Sequence, residues 1–244
     1  SKLIFLSFSF LIIKKINIRY ICLITIVALV LIILSNERSS SIMFATSMLL
    51  FLTFCQVRLL FKFAILSFVL IFLSLLLNYN TQLKERFINE PAIYFKDNHH
   101  KAHFLTAIEI FKDNKIAGSG IKTFRVVCHN KKYENIKSIY YKDRCTTHPH
   151  NLYLEIISET GILGILIIIS VNFYIAFQLT KGFFTKTKFR NEILFIFCNF
   201  FILFWPLQTT GSFFSSWNGV FYWLFFAFFF DFKKNILTKK PIQM

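Results

Sequence analysis

Seven apolar runs divide the chain, at roughly 3–13, 18–35, 41–57, 63–79, 152–178, 193–210 and 219–232. Each is continuous, without the alternation of apolar and polar positions that marks the strands of a membrane β-barrel. Most approach the ~20 residues that a helix needs to cross a bilayer. The pattern predicts an all-α, polytopic membrane protein with one long extracytoplasmic loop. Its expected divisions are transmembrane helices in 1–79 (four, the first partial), the loop in 80–150, about three transmembrane helices in 151–232 and a cytoplasmic tail in 233–244. The first run is short and the chain starts at Ser1 without methionine, so it reads as the C-terminal part of a longer protein. That run makes a poor signal peptide, because Lys14 and Lys15 stand where a cleavage site belongs.

Composition narrows the class. Of 244 residues 55% are hydrophobic and only 16% charged, against ~45–50% and ~25% in soluble domains. Such a chain cannot cover its own surface in water. A soluble enzyme, a disordered tail and a disulfide-rich secreted module are excluded. The net charge of +16 would suggest nucleic acid in a soluble protein, but its placement argues otherwise. Thirteen basic residues sit in one set of connectors: Lys14, Lys15, Arg19, Arg58, Lys62, Lys181, Lys186, Lys188, Arg190, Lys233, Lys234, Lys239 and Lys240. The short connectors of the other set, 36–40 and 211–218, hold Arg38 alone. By the positive-inside rule the C-terminus is cytoplasmic and segment 80–150 lies outside, and no nucleic-acid partner is expected. Trp205, Trp217 and Trp223 suit an aromatic belt near the outer interface.

Segment 80–150 holds all six histidines, with thirteen basic against seven acidic residues. A basic outer surface attracts an anion such as a phosphate or diphosphate; ordinary solvation of a loop is the plainer reading. Ala102 to Asn114 predicts a short helix, with Phe104, Leu105, Ile108 and Phe111 on the face that rests on the membrane or the spans. Gly118-Ser119-Gly120 reads as a turn, and a lone Gly-x-Gly is weak evidence of anion binding. Cys128 and Cys145 enclose sixteen residues. An oxidising outer compartment would favour a disulfide there, which for a loop of this size is worth ~3 kcal/mol in the chain-entropy model. The competing reading is a metal site on Cys145, His148 and His150. Cys22, Cys55 and Cys198 lie in apolar runs and read as packing residues.

The most informative stretch is His148-Pro149-His150-Asn151-Leu152-Tyr153-Leu154-Glu155, continuing through Glu159-Thr160-Gly161-Ile162-Leu163-Gly164. Pro149 interrupts the loop, and a helix is predicted to begin near Asn151, a good N-cap type. Glu155 and Glu159 fall one turn apart, at the helix end where the dipole favours negative charge. On this reading His150 and Asn151 stand at the outer mouth of a membrane helix that runs to about Phe177, with two carboxylates just below. Ionisable groups at such depth face a protein interior or a wet cavity, unless they are ordinary interfacial polarity.

His150-Asn151, nine residues, Gly161, two residues, Gly164 resembles the signature of the O-antigen ligase and O-antigen polymerase superfamily. Ser35-Asn36-Glu37-Arg38-Ser39-Ser40 is similar to the family's short outer turn with its Ser-Arg element. Phe111-Lys112-Asp113-Asn114 through Gly118-Ser119-Gly120-Ile121-Lys122-Thr123-Phe124 is similar to its helix, Gly-x-Gly and Phe passage. Trp205-Pro206 through Gly211-Ser212-Phe213-Phe214 is similar to its late Pro-and-Phe span. Many relatives carry an arginine and then a tryptophan at the start of the loop helix, where this chain has His100, Lys101 and Phe104.

The resemblance implies transfer of a glycan from an undecaprenyl-diphosphate carrier at the periplasmic face of a bacterial inner membrane. The acceptor would be lipid A-core (ligase) or a second carrier-linked glycan (polymerase). The transfer would invert the anomeric centre and use no metal, nucleotide sugar or other cofactor. The carrier's diphosphate must be stabilised as it leaves, with Arg38 the leading residue and Arg125, Lys122 and Lys101 assisting. The acceptor hydroxyl must be deprotonated as it attacks, and His150 is the expected base. Asn151 or Glu155 would orient it, with His148 behind. The alternative role for His150 is to hold the diphosphate as a cation. His99, His100, His103 and His129 read as surface residues. Two rivals remain: a transporter or flippase of lipid-linked glycan, and a non-catalytic envelope-assembly subunit. The apolar runs carry almost no mid-span charge, which disfavours the transporter.

Overall fold

The computed structural model describes residues 2, 4–13, 17–90, 98–185 and 187–238. Of the connector cations counted above, Lys14, Lys15, Lys186, Lys239 and Lys240 lie outside the described residues. Among those described, every regular element is helical. The apolar runs fold as α1 (Ile4–Ile13), α2 (Ile18–Leu34), α3 (Arg38–Phe54), α4 (Leu59–Tyr79), α6 (Leu152–Thr185), α7 (Arg190–Phe204) and α8 (Ser216–Phe232); α5 (His99–Asp113) lies in the polar segment between α4 and α6. By length and composition α4 and α6 can cross a membrane, while α2 and α3 are shorter apolar helices. On α4 only Ile65 is buried. Leu60, Phe63, Phe68, Leu70 and Ile71 are exposed, an apolar surface far larger than water tolerates and suited to lipid.

The chain divides into two compact units. One comprises 1–91, 176–203 and 224–244; the other comprises 92–175 and 204–223. The first is cored by rings: Phe51 stacks on Phe195 at 4.2 Å and Phe5 meets Phe44 at 5.0 Å. Ser47, buried, lets α3 and α7 approach closely enough for its hydroxyl to reach the carbonyl of Cys198 at 3.4 Å. Cys22, Cys55 and Cys198 are buried free thiols in this unit, in keeping with packing residues. The start of α3 carries Arg38, half-buried and ion-paired to Glu90 at 3.2 Å, and Glu90 also receives Arg86 at 3.1 Å.

In the second unit α5 is longer than expected and starts earlier. Asn98 caps it, its side-chain oxygen accepting the N–H of Lys101 at 2.8 Å. Its buried face is Ala102, His103, Thr106, Ala107 and Ile110. The expected face of Phe104, Leu105, Ile108 and Phe111 is therefore rotated: Ile108 is exposed and the other three are only half-buried. The small residues Ala102 and Ala107 allow tighter contact than the bulky ones. Ala107 and Ile110 pack on Phe124, Cys128 and Tyr133, with Val127 and Cys145 against them. Cys128 and Cys145 are joined by a disulfide, their Cα atoms 5.4 Å apart. Arg144, buried beside it, donates to the carbonyl of Cys128 at 3.1 Å and to Glu134 at 3.2 Å.

A single straight helix beginning at residue 151 was the expectation for α6, and the structure corrects it. Gly161 is non-helical, at φ 65° and ψ −159°, a region open essentially to glycine alone. The amide of Asn172 donates to the Tyr153 hydroxyl at 3.1 Å. In a straight helix those residues would be about 28 Å apart, so the legs before and after Gly161 fold back on one another. The break frees two carbonyls and two N–H groups. Ser158 O and Glu159 O accept from Ser119 N and Gly120 N, both at 2.9 Å. Ile162 N and Leu163 N donate to Lys115 O and Ile116 O at 2.8 and 3.3 Å. Two lost intrahelical bonds are thus replaced by four bonds to segment 115–120, which leaves none of these backbone groups unpaired. The Gly-x-Gly passage is the partner of a broken helix.

Candidate active site

Asn151 begins the α6 leg as its N-cap. Its side-chain oxygen accepts the N–H groups of Tyr153 and Leu154 at 3.0 and 3.1 Å. Its amide nitrogen donates to the carbonyls of Pro206 and Gln208 at 2.7 and 3.3 Å. With both ends committed, Asn151 positions the chain and has little left with which to bind substrate. His150 immediately before it has φ 56°, a left-handed conformation unusual for a side chain of this size. Its carbonyl accepts the N–H of Thr210 at 2.8 Å, which fixes that turn.

The His150 ring lies in a cluster of four imidazoles. Ring centroids are 4.3 Å away for His148, 5.1 Å for His100 and 5.3 Å for His103. The contact of its Nε2 with the Thr146 hydroxyl is long, 3.5 Å, too weak to commit the nitrogen. Burial pushes the His150 pKa down to about 4, with repulsion from His148, His100 and His103 adding to it. With no anion beside it, it is therefore neutral at pH 7, with a lone pair to offer. His148 and His103 are lowered too, first by burial. His148 Nε2 faces the Thr210 carbonyl at 3.1 Å and its Nδ1 faces the Thr147 hydroxyl at 2.9 Å. The carbonyl can only accept, so Nε2 carries the proton and Nδ1 accepts. His148 supports the turn that carries His150.

Neither glutamate of the motif orients the imidazole. Glu155 accepts from the Ser212 hydroxyl and, at 2.7 Å, from the N–H of Phe213. Glu159 accepts the N–H groups of Lys122 and Phe124 at 2.6 and 3.0 Å. Both are buried carboxylates that staple loop backbone to the short leg of α6.

The cations expected to meet a diphosphate are distributed as follows. Arg125 and Lys122 are exposed and Lys101 is half-buried, all in the second unit. Arg125 is close enough for its charge to act on His148. Arg38 lies in the first unit, on Glu90. Metal ligation by Cys145 is ruled out by its disulfide. Sequence reasoning placed His100 and His103 on the surface; instead His103 is buried and both abut His150. The signal that would have found them is their spacing of three on one helix, which puts both rings on one face.

The O-antigen ligase family model matches residues 23–169, more than half of the chain. The chain belongs to the O-antigen ligase family. No curated protein and no solved structure matches it. The O-antigen ligase match takes in Arg38, the loop helix, the disulfide, the imidazole cluster and the fold-back at Gly161. Membership carries glycan transfer of the O-antigen ligase or polymerase type, acting on lipid-linked glycans in a bacterial membrane.

Proposed function

We propose that this O-antigen ligase-type protein transfers a glycan from undecaprenyl diphosphate to an acceptor hydroxyl. The acceptor is lipid A-core or a second carrier-linked glycan, and inversion at the anomeric carbon needs no metal. His150 removes the proton from that hydroxyl as it attacks. Arg125, Lys122 and Lys101 draw in the diphosphate, and Arg38 stabilises the charge that grows on it as the bond breaks.

The observation that carries this reading is the setting of His150: a neutral imidazole whose Nε2 has a long contact, 3.5 Å to the Thr146 hydroxyl, held by a left-handed turn whose carbonyl is tied to Thr210 N at 2.8 Å. A base must keep its lone pair available and its position fixed, and both conditions are met.

The protein sits in this proposal as a multi-pass protein of the bacterial inner membrane, with 80–150 on the periplasmic side. The connector charges support that orientation. So does the Cys128–Cys145 disulfide, which suits an oxidising compartment.

The test is a transfer assay with purified protein, an undecaprenyl-diphosphate glycan and either acceptor, with nucleotide and divalent metal omitted. His150→Ala should lower turnover on the order of 10²–10⁴ while leaving membrane insertion intact. Full activity in that variant would refute the base assignment. Arg38→Ala should lower turnover on the order of 10², and Arg38→Lys should fail to restore it, because lysine lacks the planar fork that matches a phosphate.

A further inference from the structure

The imidazole cluster has a property that proton transfer leaves unused. His100 and His103 lie on one face of α5, and His150 approaches from the turn before α6. One nitrogen from each of these three rings lies within 4.8 Å of the other two. His103 Nε2 stands 2.8 Å from the backbone oxygen of Asp143. That oxygen can only accept, so Nε2 holds the proton and Nδ1 keeps a bare lone pair. His103 is 7% exposed, and its Nδ1 has no hydrogen-bond partner among the described residues. Leaving such an acceptor buried and unsatisfied is costly. The cost disappears when an electron-poor centre takes the lone pair.

We propose that His100, His103 and His150 form a binding site for one divalent transition-metal ion. Three imidazole ligands select zinc, copper, nickel or iron over magnesium and calcium, which demand oxygen ligands. A ring nitrogen tied to a backbone carbonyl, as in His103, is the usual outer support of a metal-ligating histidine. Tetrahedral zinc at 2.0–2.1 Å sets its ligand nitrogens about 3.4 Å apart, which small ring rotations reach from the observed spacing. Three protein ligands leave a fourth position open to water. His148 is outside the set, because both its nitrogens are hydrogen-bonded. The neighbouring Cys128 and Cys145 offer no thiolate.

A consequence follows that rests on the function proposed above. The ion takes the His150 lone pair that would receive the acceptor's proton, so metal occupancy switches transfer off.

The experiment uses the full chain in detergent, stripped with a chelator and titrated with zinc by calorimetry, and with cobalt followed by visible absorption. One ion should bind per chain. His100→Ala and His103→Gln should each weaken binding at least tenfold, and His129→Ala, on an exposed residue, should leave it unchanged. If His103→Gln misfolds, His100→Ala alone carries the result. No binding up to millimolar zinc, or binding indifferent to His100→Ala, overturns the site. In the transfer assay, zinc should inhibit the wild type, a chelator should restore it, and His100→Ala should resist. Stoichiometric binding without inhibition overturns the link to His150 and leaves the metal site standing, so the two readings fail separately.

Discussion

Gly161 meets Gly118 with no space for a side chain on either: a Cβ added to Gly161 would stand 2.6 Å from the Gly118 nitrogen and 2.3 Å from the Ile116 oxygen. A Cβ on Gly118 would fall 2.2 Å from the backbone carbon of Glu159. Contacts this short with backbone cannot be relieved by a change of rotamer. Gly161→Ala should therefore lose both the backbone angle and the docking of 115–120. The expected destabilisation is above the roughly 1–3 kcal/mol of backbone strain alone. Thermal unfolding in detergent reads it, and a melting temperature equal to the wild type would rule out the fold-back.

Glu159 is expected to hold the loop and to take no part in the chemistry. Glu159→Gln removes one of the two acceptors used by Lys122 and Phe124, a loss of about 1–3 kcal/mol. Hydrogen exchange at those two amides should speed up, and trypsin should cut faster after Lys122 and Arg125. Any activity lost should recover on cooling. A variant with unchanged exchange and no turnover would instead place Glu159 in the reaction.

The pH dependence follows from His150, whose pKa falls from 6.5 to about 4. In the proposed role of base it works unprotonated, so the acid limb of kcat/KM in chelator-treated protein should have its midpoint well below 6.5. A midpoint at or above that value contradicts the assignment. Stability moves with it. Between about 6.5 and 4 the unfolded chain binds a proton at this residue and the folded chain does not, so stability falls as pH falls through that window. His103 and His148, also lowered, act in the same sense. His99, His100 and Arg125, which also act on this cluster, oppose a further proton.

The disulfide makes a simple count. Denatured without reductant, the protein should show three reactive thiols, those of Cys22, Cys55 and Cys198, and two more after reduction of Cys128–Cys145. Reduction should destabilise the second unit by about 3 kcal/mol in the chain-entropy model. Five thiols before reduction would show that the bridge does not form in the membrane-expressed protein.

The helices were legible in the sequence because apolar runs of this length have few other uses. Asn151 was legible as a cap for the same kind of reason: its side chain competes for backbone groups in any context. The face of α5 was not, because hydrophobicity favours Phe104 and Phe111 while close approach favours Ala102 and Ala107, and only the partner surface decides. The turn-back of α6 was also hidden. Gly161 sits inside the run 152–178, and a glycine in a helix costs only about 1 kcal/mol; it becomes a hinge only when segment 115–120, more than forty residues earlier, supplies partners for the opened backbone. The glutamates misled for a related reason. A pair of carboxylates one turn apart looks like chemistry, and here they bind the main chain of Lys122, Phe124 and Phe213.

The four bonds between 115–120 and the opened turn of α6 also constrain biogenesis. Neither stretch can make these bonds without the other, so both must reach the same side of any membrane the chain crosses before the turn is settled. Segment 115–120 emerges from the ribosome first and waits as a receptor; the hairpin then locks onto it like a latch, and a chain threaded with the two on opposite sides would have no way to close.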